Sequence, residues 1–155
     1  MKNKIVTVAI ICGALFSCKN AEKSSSANEI NSDALPIPPK EITECYQYIR
    51  SKDTVQATLV IAGVVVSGDL DYKLFGKDKN SGKINGSMRG DTLIANYTFN
   101  SEGMESVREV AFLKINKTLI EGYGASELKN GKMVFKEIKK LNFASSVILN
   151  QIPCK

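Results

Sequence analysis

The chain has 155 residues, 43% hydrophobic and 24% charged, with a formal net charge of +5 and neither His nor Trp. That length supports one domain with a real core and not two. Without His there is no Ser-His or Cys-His catalysis, no His-ligated zinc or haem, and no imidazole pH switch. No apolar run reaches the ~20 residues that a spanning helix needs.

The N-terminus carries the first predicted element. Lys2 and Lys4 precede an apolar run from Ile5 to Phe16, the pattern of a secretory signal peptide, assigned to residues 1–17. It ends in Leu15-Phe16-Ser17-Cys18, which resembles a bacterial lipobox: a branched residue, a tolerant position, a small residue, and the cysteine that receives lipid. The alternative is an ordinary signal peptide that happens to end near a cysteine, but the polar stretch beginning at Lys19 favours lipidation of Cys18. The acyl chains of such a cysteine exceed the two-signal threshold for stable anchoring. Lys19 rather than Asp follows the cysteine. By likeness to Gram-negative sorting, this implies a bacterial cell-envelope protein, lipid-anchored in the outer membrane and facing the periplasm.

Residues 18–44 are read as the lipidated cysteine and a flexible tether. The stretch is rich in Ser, Asn, Ala, Lys and Glu, and Leu35-Pro36-Ile37-Pro38-Pro39 stiffens its end. The tether is slightly acidic, which leaves the domain at 45–155 with the basic excess. Part of that excess is Lys129, Lys132, Lys136, Lys139 and Lys140, a solvated face or a contact for anionic headgroups or an acidic partner. With no nucleic-acid-binding fold in view, a nucleic-acid partner is not expected.

Cys12 falls within the signal peptide and Cys18 is the expected anchor, which leaves Cys45 and Cys154. An even pair in an oxidising compartment reads as a disulfide, and the long spacing lacks the CxxC form of a redox or metal pair.

From Cys45 onward the hydrophobic period is two, with turn signals at short intervals. Cys45–Arg50 begins the series. Val55, Ala57, Leu59 and Ile61 alternate with polar neighbours, and a turn at Ala62-Gly63 returns through Val64, Val66, Gly68, Leu70, Tyr72 and Leu74, pairing Leu59 with Val66. Ile84, Gly86 and Met88 turn at Gly90-Asp91 into Leu93, Ala95, Tyr97 and Phe99, pairing Met88 with Leu93. Val107–Lys114 is the sixth strand and Thr118–Leu128 the seventh. Asn130-Gly131 marks a type I′ hairpin into Lys132–Lys136, the eighth. Eight antiparallel strands in meander order, with one apolar face, predict an all-β closed barrel of the lipocalin or streptavidin kind, with a two-sheet sandwich as the alternative. Only Phe135–Leu141 has room for a helical turn. A Cys45–Cys154 bond would tie the first strand to the C-terminal segment, where a barrel must close its edges.

One hairpin leaves its facing open. The Asn116-Lys117 turn places Arg108, Val110 and Phe112 with Leu119, Glu121 and Tyr123 on one face, and Glu109, Ala111 and Leu113 with Ile120 and Gly122 on the other. Parity carried through Asn130-Gly131 puts Glu109 inside with Leu128, Met133 and Phe135. A bulge at Gly122 or Gly124 would reverse this and put Arg108 and Glu121 inside.

No catalytic constellation stands out, and neither a metal site nor a cofactor is expected. Asp69 and Asp71 share a strand face, which fits either a carboxylate pair or plain solvation. Asp78-Lys79-Asn80-Ser81-Gly82 lacks the closing Glu of a calcium loop. Small inward residues (Ala57, Gly68, Gly86) beside Tyr72 and Tyr97 either relieve curvature in a filled barrel or leave room for a small apolar ligand. The candidate ligand-binding residues are Tyr72, Tyr97, Arg108, Glu109 and Glu121, because a buried charge needs a partner or a ligand.

Gly68-Asp69-Leu70-Asp71-Tyr72, Gly82-Lys83-Ile84-Asn85-Gly86, Gly90-Asp91-Thr92-Leu93, Arg108-Glu109-Val110-Ala111-Phe112 and Glu121-Gly122-Tyr123-Gly124 together resemble small lipoproteins of flavobacteria and related Bacteroidetes. The likeness covers nearly all of Cys45–Cys154 and implies an envelope lipoprotein with one domain of this extent, without an active site to transfer. The expected function is a non-enzymatic binding or interaction module for a small apolar ligand or an envelope protein. The alternative is a structural or stress-response lipoprotein holding no ligand.

Overall fold

Apolar–polar alternation from Glu41 onward forms ten strands. They are β1 (Glu41–Arg50), β2 (Asp53–Ala62), β3 (Val65–Lys73), β4 (Asn80–Arg89), β5 (Thr92–Ser101), β6 (Met104–Ile115), β7 (Thr118–Gly122), β8 (Ser126–Lys129), β9 (Lys132–Phe135) and β10 (Ile148–Ile152). The computed structural model describes residues 38–155 except 78 and 146. The expected signal peptide, Cys18 and nearly all of the tether lie outside the described residues, as does Asp78.

Eight strands close a ring. β1 to β7 pair in sequence, β7 pairs with β10, and β10 pairs with β1, every contact antiparallel. The fold is therefore the closed eight-stranded barrel and not the sandwich. Its eighth strand is not Lys132–Lys136, however. After β7 the chain leaves the wall, makes the β8–β9 hairpin and a 3-10 turn at Ile138–Lys140, and returns as β10. The hairpin's strand pairing with the wall is one parallel bridge, Arg108 to Met133. Its Asn130-Gly131 turn has φ of 50° and 76°, the type I′ geometry read from the sequence. That local signal identified a hairpin correctly but could not say whether the barrel would use it.

Two smaller differences follow from the ladder. β1 begins at Glu41, so Glu41 and Glu44 belong to the barrel and not to the tether. The β2–β3 turn is Gly63-Val64, not Ala62-Gly63, so Leu59 faces Gly68 rather than Val66. Gly63 has φ of 63°, which places glycine at the first central position of a type II′ turn. The shift is two residues, so every side chain keeps its face. The β4–β5 register, with Met88 opposite Leu93 and Ile84 opposite Tyr97, is as read from the sequence.

Side chains fill the interior. Tyr46, Leu59, Leu70, Tyr97, Phe112 and Leu149 are each at most 2% exposed, and burying a large apolar side chain of this kind stabilises by about 1.5–3 kcal/mol. The glycines of the inner face stand where neighbouring backbone comes close: a Cβ on Gly86 would lie 2.1 Å from Ile94 O. They bring strands together and do not open a cavity.

The two ends of the barrel differ. At one end the chain enters at Glu41, tight turns join β2 to β3, β4 to β5 and β6 to β7, and the Cys45–Cys154 disulfide links β1 to the segment after β10. Inside this end Lys114 Nζ donates to both oxygens of Glu44, at 2.7 and 2.6 Å, and Tyr46 Oη donates to Glu44 Oε2 at 2.7 Å. Burial pushes the Glu44 carboxyl up, but these bonds outweigh it and hold the group below its ordinary range. The other end, where β3, β5 and β7 finish and β4 and β6 begin, is the mouth.

Candidate functional site

The facing left open in the sequence is settled by the barrel. Arg108, Val110 and Phe112 point inward with Leu119 and Glu121, and Phe112 is 1% exposed. No reversal of parity is needed, because the chain leaves the wall after Gly122. The β8–β9 hairpin therefore owes nothing to the barrel's alternation, and Leu128 and Met133 are exposed rather than inside. Gly122 and Gly124 are not bulges. They leave space for the returning segment, since a Cβ there would meet Phe143 at 2.4 Å and Leu141 at 2.8 Å.

Four of the five candidate residues meet at the mouth. Glu121 is 4% exposed, the buried charged residue among those described. Tyr72 Oη donates to its Oε1 and Tyr123 Oη to its Oε2, each at 2.7 Å. Phenol donors on both oxygens are what a carboxylate removed from water requires. Beside it Arg108 lies over three rings, with its guanidinium carbon 5.2, 5.6 and 5.7 Å from the centroids of Tyr72, Tyr97 and Phe99. Tyr97 stacks on Phe99 with centroids 4.7 Å apart, and Tyr72 meets Tyr97 tilted by 57° at 5.9 Å. Each cation–π contact of this kind contributes on the order of 0.5–2 kcal/mol.

Glu109, the fifth candidate, faces outward. Its Oε2 accepts from Phe135 N at 2.7 Å and so fastens β9 to the outside of β6. Glu109 therefore holds the hairpin and lies outside the barrel's interior, where it lines the cleft beneath the hairpin with Arg108 and Glu121.

Four polar side-chain atoms are buried without a partner among the described residues: Arg108 Nε and Asn80 Oδ1 at the mouth, Tyr97 Oη in the core beside them, and Ser81 Oγ on the outer face of β4. A buried polar group left without a partner costs about 1–3 kcal/mol, and at Arg108 and Asn80 that cost falls on residues lining a cleft. No described carboxylate lies within ion-pairing distance of Arg108. Two clefts reach this centre and share Arg108, Glu121 and Tyr123. One, of about 260 Å³, adds Tyr72, Leu74, Lys77 and Asn80; the other, of about 290 Å³, lies under the hairpin and adds Glu109, Met133 and Phe135.

Tyr123 and Asn80 are the site residues that the sequence did not assign. Tyr123 was tied to Glu121 by its position two residues on. Asn80 sits opposite Tyr72 only because of the β3–β4 register, which a loop of six residues does not reveal. Asp69 pairs with Lys83 on the outer surface and stays apart from the mouth.

Burial, first, and then the Glu121 charge hold the Tyr72 phenol well above the ordinary tyrosine range, with Arg108 pulling the other way. Burial likewise raises Tyr46, Tyr97 and Tyr123. A phenol whose folded pKa exceeds its unfolded value near 10 contributes stability fully below that pH and loses it as pH rises beyond. In a Tyr48→Phe variant, which leaves these four tyrosines alone, we expect phenolate absorbance to appear together with loss of β circular dichroism in one cooperative step above pH ~10. Gradual ionisation of these four tyrosines in a folded barrel would contradict this.

The chain matches no protein-family model, no curated protein and no solved structure. Its class is accordingly defined by architecture, an antiparallel barrel of the lipocalin or streptavidin kind whose charged centre lies at one mouth.

Proposed function

We propose that this chain is a lipid-anchored cell-envelope lipoprotein, held through Cys18 in the outer membrane and facing the periplasm. Its barrel acts as a non-enzymatic binding module for a small, largely apolar molecule, or for an envelope protein, taken at the mouth. One observation carries the binding part: where two clefts open, two of their lining residues, Arg108 and Asn80, keep buried polar atoms without partners, while an internal Lys114–Glu44 ion pair occupies the opposite end. A filled interior moves the guest from the barrel's centre to its rim. The filled interior also supports the second reading, a structural or stress-response lipoprotein without a small ligand. The anchor rests on the lipobox-like Leu15–Cys18 and the polar stretch after it.

Native mass spectrometry of the full chain, purified from its own membranes in mild detergent, tests both parts. The expected spectrum shows a polypeptide beginning at Cys18 with acyl groups attached, and a discrete further mass that leaves on denaturation. An unacylated chain would overturn the anchor, and a mature mass with nothing bound would favour the structural reading.

A further inference from the structure

We propose that the 260 Å³ mouth cleft recognises a monocarboxylate, with Arg108 as the anchor for its head group. The inference rests on the mouth being a binding site and adds the chemistry of the guest.

Charge supplies the first argument. Arg108 is held by ring faces and not by an anion, with Nε buried and without a partner. Glu121, the carboxylate that lines the same cleft, has each oxygen engaged by a tyrosine hydroxyl. Lys77 adds a second cation to the cleft lining, whereas the hairpin-side cleft adds the carboxylate of Glu109 instead. An anion therefore belongs on the Lys77 side. The planar guanidinium presents its donors in the fork that a carboxylate matches with two parallel bonds.

Glu121 limits the charge of the guest. A second negative group close to it is tolerable against Arg108 and Lys77, but a dianion such as a phosphate monoester would meet an excess of negative charge. The size limit points the same way. The cleft falls below the ~300–1,000 Å³ of sites that enclose drug-sized ligands, so it accepts a fragment-sized head. Tyr72 and Leu74 line it and Phe75, 69% exposed, follows on the same loop, which gives an apolar body a surface to lie on.

The test is calorimetric titration of the full chain in mild detergent with sodium benzoate, benzamide, benzylammonium and inorganic phosphate. Benzoate should bind at least tenfold more tightly than the other three. Arg108→Gln should weaken benzoate at least tenfold, and Arg108→Lys should recover part of the loss, because it restores the charge without the fork. Lys77 is exposed, so Lys77→Glu leaves the fold intact and should weaken benzoate several-fold even if the Arg108 variants fail to fold. Equal binding of benzoate and benzamide, unaffected by Lys77→Glu, would overturn the anionic guest while leaving a mouth site standing. Tighter binding of phosphate would replace carboxylate by phosphoryl. Absence of binding by all four probes would overturn the inference, and the mass of the membrane-purified protein would still decide separately whether the mouth holds anything.

Discussion

Replacing Cys45 and Cys154 together by alanine is expected to lower the unfolding free energy by about 4–5 kcal/mol, measured by urea denaturation against the oxidised protein. The bond closes a loop with a sequence separation of 109 residues, and in the chain-entropy model a loop of ~100 residues is worth about 4.7 kcal/mol. Total stability of a domain is only ~5–15 kcal/mol, so the variant should stand close to the unfolding threshold. The location adds to the effect. β10 has five residues and pairs with β1 over only three registered positions, Cys45 to Gln47. This is the shortest seam on β1, whose ladder with β2 runs through ten. A change below about 1 kcal/mol would mean that the ladder closes the barrel without the bond.

Gly68→Ala is expected to destabilise by roughly 2–4 kcal/mol, the range of overpacking combined with an incompatible backbone. An added Cβ would lie 1.9 Å from Thr58 O and 3.2 Å from Leu59 Cα, atoms of the paired strand that cannot move without breaking the β2–β3 ladder. The φ of 155° adds backbone strain for any residue with a side chain. Gly76→Ala is the control. It also has positive φ, at 70°, but nothing lies within 4 Å of the new carbon, so only the conformational cost of about 1 kcal/mol remains. Thermal or urea unfolding of both variants separates crowding from conformation, and equal losses would show that the close approach is not what requires glycine at position 68.

The barrel was legible because a period of two, interrupted by Gly- and Asn-containing turns, leaves few alternatives to an antiparallel meander. The turns at Gly90-Asp91, Asn116-Lys117 and Asn130-Gly131 stand where the residues placed them. The identity of the closing strand was not legible. Val147-Ile148-Leu149 is a short apolar run beyond an irregular stretch, while Lys132–Phe135 follows a strong hairpin signal, and local propensity cannot report which of them finds β1. The disulfide could have decided it, since Cys154 lies two residues after Ile152 and nineteen after β9 has ended at Phe135.

The site was legible in its residues more than in its arrangement. Tyr72, Tyr97, Arg108 and Glu121 were separable from the rest as charges and phenols on an otherwise apolar alternation. Glu109 came with them because parity was carried through a hairpin that lies outside the wall. Once the chain departs at Gly122, the rule that neighbours alternate between inside and outside no longer connects β6 to β9. Asn80 depends on a register set across the β3–β4 loop.

The entrance of the chain beside the disulfide also determines how the barrel bears load. In the anchored form that we propose, tension along the tether reaches the fold at Glu41 and peels residues from β2 one pair at a time. Only Glu41 to Glu44 precede the bonded cysteine. At Cys45 the pull divides between β1 and, through Cys154, β10, so further opening must drag two strands along their neighbours at once instead of unzipping one. The mouth lies at the far end of β1, nine residues or ~30 Å along the strand at the usual rise of about 3.3 Å per residue. A taut anchor would therefore leave the Arg108–Glu121 centre undistorted.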